Sequence, residues 1–181
     1  MPAPLVAIQL LWLNLVTDGL QDIALSFETE EKDIMKEKPR SPKESIFYKL
    51  MISEVIFAGV SIGLIVFFLW LFLYDSGMSL PKARGFVMTL MVFIQNIHVL
   101  NCRSEKQSIF KMRKNKNWFV IFSITLSIGL QLLVLNIPFL SQVLKIEPIS
   151  PLEIVYMLLL SLPILVIMEI FKMFVRGREE K

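Results

Sequence analysis

The sequence has one cysteine, Cys102, and one histidine, His98. A lone thiol forbids an intrachain disulfide, so a disulfide-stapled scaffold is excluded. No Walker A string and no Gly-rich phosphate loop occurs, which removes the usual sequence signs of a nucleotide site. Charge is scarce as well, at 19% of 181 residues against about 25% in ordinary soluble domains. Hydrophobic residues reach 55%, with 14 Phe, and the mean hydropathy is positive. Disorder and collagen are therefore excluded. The net charge of +3 and pI near 9.0 would fit a nucleic-acid binder only if the basic residues clustered for that purpose.

The charges are also missing in long runs. No Asp, Glu, Lys or Arg occurs in residues 1–17, 55–74, 85–102, 117–144 or 154–168. Roughly 17–25 apolar residues cross a hydrocarbon core of ~30 Å as helix. The runs predict an all-α membrane protein, a bundle of five transmembrane helices at about 4–25, 51–74, 85–102, 118–137 and 152–174. Barrel-strand alternation is absent, and only helix satisfies its own backbone segment by segment in lipid. Residues 1–181 then form a single transmembrane domain with cytoplasmic loops 26–50 and 103–117 and a tail at 175–181.

The basic residues give the orientation. Residues 26–49 and 103–117 hold six each, and the C-terminal stretch holds Lys172, Arg176, Arg178 and Lys181; only Lys82, Arg84 and Lys145 lie opposite. The positive-inside rule places the sixteen in the cytoplasm, together with the C-terminus. Topology thus accounts for the excess charge, and no nucleic-acid partner is expected. Five helices put the N-terminus outside, yet the first helix has no basic n-region or cleavage site. The expectation is the tail of a longer protein.

The first span reads LLWLNLVTDGLQDIALSFE. Asn14, Thr17, Asp18, Gln21 and Asp22 follow i, i+3, i+4, i+7, i+8 and so share one helical face. A carboxylate near the bilayer centre costs at least ~2.5–3.5 kcal/mol, so the face must meet protein or water. Gly19 favours local unwinding, which frees carbonyl oxygens. Amide, hydroxyl and carboxylate oxygens on an interrupted helix suit a hard cation such as Ca²⁺ or an alkali ion. Asp22, near the helix end, reads better as a headgroup-layer residue.

Elsewhere the sequence reads as packing. Gly59 and Gly63 form a GxxxG that permits close helix contact. His98 and Cys102 are too few for a zinc or copper site and read as a helix-bonded imidazole and an inert buried thiol. Gln131 suits interhelical hydrogen bonding. Pro163 should kink the last helix, where Glu169 and Lys172 can pair.

LLWLNLVTDGL resembles the sixth transmembrane helix of P-type cation-transporting ATPases, close to the calcium-pump subfamily. NCRSEKQSIF is similar to the cytoplasmic end of that family's eighth helix. The resemblance covers essentially the whole chain and implies helices six to ten of ten, the C-terminal half of a transport domain. It implies Asn14, Thr17 and Asp18 as cation ligands, with Gln95 where the eighth helix contributes a Glu in muscle-type calcium pumps. Many calcium pumps continue DGLPA, whereas this chain has Gly19-Leu20-Gln21-Asp22. With Gln95, that departure favours one cation site. Calcium export is the first reading, and Na⁺, K⁺ or Mn²⁺ handling the alternative.

The family's phosphorylated D-K-T-G-T string is absent, so no ATP hydrolysis is expected of this chain alone. ATP and Mg²⁺ would enter only through domains outside it. The implied partners are membrane lipid and the N-terminal part of the pump, with its helices one to five and cytoplasmic domains. The implied location is a prokaryotic plasma membrane. The competing reading is a stand-alone, non-enzymatic membrane protein: a scaffold, passive channel or split pump remnant.

Overall fold

A computed structural model describes residues 1–28, 48–104, 108–109 and 117–179, with side chains to residue 175. Most of the expected loops, 29–47 and 105–107 with 110–116, and the last two residues lie outside the described residues. Among the described residues all regular structure is helical. α1 (Ala7–Leu13), a π-helical turn (Asn14–Asp18) and α2 (Gly19–Leu25) follow without a break. Then come α3 (Lys49–Asp75), α4 (Leu80–Cys102), α5 (Trp118–Asn136), α6 (Pro138–Val143), α7 (Pro151–Ser161) and α8 (Pro163–Glu179).

Sequence chemistry places the ends. Pro81, Pro138, Pro151 and Pro163 sit in the first turns of α4, α6, α7 and α8, where a missing N–H is harmless. Asn117 caps α5 by accepting from the Phe119 and Val120 amides. Ser150 and Glu153 form a capping box on α7. Gly77, with φ +72°, makes the tight turn from α3 to α4 that a side chain would oppose. α4 begins at Leu80, ahead of the charge-free run at 85, so Lys82 and Arg84 lie inside the helix. Lys82 pairs with Glu153 at 3.1 Å.

Among the described residues, four helical stretches are long and apolar enough to cross a membrane: Lys49–Asp75, Leu80–Cys102, Trp118–Asn136 and Pro151–Val175. The first span, at 7–25, is interrupted by the π turn. α4 is the central helix. Val87, Met88, Leu90, Val92 and Ile94 are fully buried in it, against Ile164 and Met168 of α8. α3 turns most of its surface outward, including Val60, Leu64, Phe67, Phe68 and Phe72. In lipid that inversion is stable, because acyl chains solvate Phe and Leu as well as a protein core does. Hydroxyls away from the core bond within their own helices: Ser61 of α3 donates to the Phe57 carbonyl at 2.7 Å and Thr125 of α5 to the Ile121 carbonyl at 2.8 Å.

The N-terminal end of α4 is closed by residues 144–150. The Glu147 amide donates to the Pro81 carbonyl at 3.2 Å, and Gln9, fully buried, donates to the Leu144 carbonyl at 2.8 Å. Gly85 lies under this segment. A Cβ there would stand 2.9 Å from the Glu147 carbonyl oxygen, so only glycine fits without a shift. Gly59 and Gly63, by contrast, face open space in this chain.

Candidate functional site

The polar stripe of the first span is divided by the fold. Thr17 and Gln21 are buried against α4, whereas Asn14, Asp18 and Asp22 stand exposed in a column at i, i+4, i+8. The break in the helix also takes a different form from the expected unwinding. Gly19 keeps helical angles (φ −60°, ψ −38°), and its amide donates to the Asn14 carbonyl, five residues back. One extra residue is thereby taken into the turn, and such π turns recur at functional sites.

Thr17 is the centre of the arrangement. Its Oγ1 lies 2.6 Å from the Leu13 carbonyl oxygen, 2.8 Å from Gln95 Oε1 and 3.3 Å from Asp18 Oδ1. A hydroxyl has one proton, so it can donate to one of these three acceptors at a time. Gln95 Nε2 approaches Asp18 Oδ1 at 3.4 Å. Backbone, hydroxyl, amide and carboxylate oxygens therefore crowd together with fewer protons than lone pairs. Oxygens coordinated at 2.3–2.6 Å around Ca²⁺ approach one another to about this extent. Thr17 is fully buried, Gln95 half-buried and Asp18 open on one side.

Of the four residues expected at the site, the structure brings Thr17, Asp18 and Gln95 together. Asn14 lies on the exposed face one turn before Asp18. Among the described residues no three His, Cys, Asp or Glu side chains converge as a metal cluster. His98 is half-buried with its Nδ1 unpartnered, rather than bonded to its helix, and Cys102 is exposed, not buried. Glu169 accepts from the Ile109 amide at 2.9 Å, and Lys172, fully buried, donates to the Asn101 carbonyl at 2.7 Å.

Two further polar connections flank the π turn. Before it, Trp12 Nε1 donates to Gln131 Oε1 at 3.1 Å, and Gln131 Nε2 donates to Thr89 Oγ1 at 3.1 Å. After it, Gln21 Nε2 donates to Asn96 Oδ1 at 2.9 Å, and Asn96 Nδ2 to Ser127 Oγ at 3.0 Å. Asn96 and Thr89 match no motif; the signal for them is that, with Gln95, they are polar residues on the most buried helix.

Beyond the end of α2, Arg103 grips Glu28 with two bonds of 2.9 and 2.7 Å, and Asn117 donates to the same carboxylate at 2.9 Å. Burial pushes the Glu28 carboxyl up, but the hydrogen bonds from Arg103 and Asn117 and the Arg103 charge outweigh it and hold it below 4.5.

The sequence profile of the family described as "Cation transporting ATPase, C-terminus" matches residues 2–174. The calcium-transporting ATPase of Bacillus subtilis (strain 168) is 38% identical over 152 residues, which cover 83% of this chain and 17% of that protein. The human calcium-transporting ATPase type 2C member 1 is 31% identical over 180 residues, 99% of this chain and 20% of that protein. The calcium-transporting ATPase 3, endoplasmic reticulum-type, of Arabidopsis thaliana is 29% identical over 204 residues, with shares of 97% and 20%. The chain thus spans about a fifth of the length of these relatives.

Proposed function

Since the chain belongs to the family of C-terminal regions of cation-transporting ATPases, an integral membrane part of a cation pump, we propose that it carries the cation through the membrane for an ATP-driven calcium exporter. Asp18 supplies the carboxylate, Thr17 and Asn14 supply neutral oxygens from the same helix, and Gln95 closes the site from α4. The observation that carries this reading is the oxygen cluster around Thr17, 2.8 Å from Gln95 and 3.3 Å from Asp18 beside a π turn. The names of the relatives support Ca²⁺ as the ion. A single carboxylate in the cluster and an amide at position 95 favour one ion per cycle.

The energy comes from outside these residues. Phosphorylation and nucleotide binding belong to the N-terminal part of the pump, the partner of this chain in the membrane, which drives the site between two access states by shifting helices. This chain alone hydrolyses no ATP. Asn14, Asp18 and Asp22 stand exposed where that partner's helices would complete the site. The C-terminus lies in the cytoplasm, and the membrane is a prokaryotic plasma membrane.

The test is ATP-driven ⁴⁵Ca²⁺ uptake into vesicles carrying the complete pump. Gln95→Leu is expected to raise the half-saturating Ca²⁺ concentration, and excess Na⁺ or K⁺ to leave uptake unchanged. Uptake abolished by Na⁺ or K⁺, or unaltered affinity in Gln95→Leu, would overturn the reading.

A further inference from the structure

The π turn is held from both sides by α4 and α5. On the α1 side the tether is Trp12–Gln131–Thr89; on the α2 side it is Gln21–Asn96–Ser127. A π turn is rare and occurs mostly as a single turn inside an α-helix, so something must hold it in register against relaxation to α. Relaxation to α would remove one residue from the turn. One side of the helix would then rotate against the other by about 100°, a single residue's share of a 3.6-residue turn.

Asn96 is built to resist that rotation. It is 3% exposed, Gln21 is 6% and Ser127 fully buried. Its Oδ1 accepts from Gln21, and its Nδ2 donates one hydrogen to the Val92 carbonyl at 2.8 Å and the other to Ser127. Flipping the amide would set Nδ2 against Gln21 Nε2 and Oδ1 against the Val92 carbonyl, so only one orientation satisfies every group. Gln21 is one turn from Thr17 on the first helix, and Asn96 is the neighbour of Gln95 on α4. The contacts Thr17–Gln95 and Gln21–Asn96 are therefore two rungs, about 6 Å apart along the first helix and on consecutive residues of α4. One rung would allow a pivot; two set both rotation and height.

We propose that Asn96, acting through Gln21 and anchored on Ser127, is a positioning residue that holds the Asn14–Asp18 turn in its π register and so keeps Thr17 and Asp18 against Gln95. This rests on the cation-site reading above and adds a group that does not touch the ion. The neighbouring Gln21 takes on a role here that the oxygen cluster did not need.

The experiment measures cation-dependent phosphoenzyme formation in the complete pump, separating half-saturating cation concentration from maximal level. Asn96→Leu keeps the shape of the side chain and removes its hydrogen bonds; Gln21→Met does the same from the other helix and serves if Asn96→Leu fails to accumulate. Each is expected to raise the half-saturating concentration about threefold to tenfold with the maximal level retained. The double variant is expected to be no worse than either single one, because both cut the same tether. Unchanged half-saturation, a loss of maximal level alone, or additive effects would overturn the proposal. Asp18→Asn is run alongside. If it leaves cation dependence normal, the cation-site reading itself fails; if it silences the pump while Asn96→Leu has normal affinity, only the positioning role fails.

Discussion

Arg103→Met tests the clasp that joins three parts of the chain beyond the membrane helices. Arg103 and Glu28 share two charge-assisted hydrogen bonds, and Asn117 adds a third from the start of α5. The two charged side chains are only 13% and 16% exposed. Fully exposed pairs contribute about 0–1 kcal/mol, while removing one partner of a buried pair costs about 3–5 kcal/mol. The clasp lies between these limits, and Arg103→Met is expected to cost about 2 kcal/mol at neutral pH. Because the Glu28 carboxyl is held below its ordinary 4.5 in the folded chain, its contribution is complete above 4.5 and is lost as pH falls through the folded value. The gap between the parent and Arg103→Met must therefore narrow in acid. Unfolding of the chain in detergent micelles, followed by tryptophan fluorescence at neutral pH and well below pH 4.5, measures both effects. A double-mutant cycle with Glu28→Gln isolates the pair. Equal stability of parent and variant at neutral pH, or a gap that does not change with pH, would show that the clasp does not carry this stability.

Three other substitutions check the packing. Gly85→Ala drives a Cβ to 2.9 Å from the Glu147 carbonyl oxygen and is expected to cost about 1–3 kcal/mol in the same unfolding assay. Trp12→Phe removes the donor to Gln131 and is expected to cost about 0.6 kcal/mol, and at most about 1.7, as membrane side-chain hydrogen bonds do. Ser150→Ala breaks the capping box of α7, with an expected loss of about 1 kcal/mol.

How far the chain can be read without coordinates differs between helix and site. The charge-free runs 55–74 and 85–102 lie inside α3 and α4, because a single charge is too costly at the centre of a membrane helix to be scattered there. The break near Pro163 was legible for a similarly local reason, the missing N–H. Which helix occupies the centre was not. α4 is distinguished by its polar residues Thr89, Gln95 and Asn96, which find partners only once other helices surround it. The stripe from Asn14 to Asp22 was visible as a helical period, but that period assumes an uninterrupted α-helix. The π turn and the packing of α4 divide it into an inward pair, Thr17 and Gln21, and an outward column. The clasp of Glu28, Arg103 and Asn117 was invisible, since its members stand 75 and 89 residues apart and none follows a periodic pattern.

Asp18 is proposed as the carboxylate of the transported cation's site. Its most direct test is the Ca²⁺ dependence of phosphoenzyme formation in the complete pump carrying Asp18→Asn, compared with the parent. The variant is expected to form no cation-dependent phosphoenzyme while its protein reaches the membrane in normal amount. A variant with the parent's Ca²⁺ affinity and phosphoenzyme level would contradict that assignment.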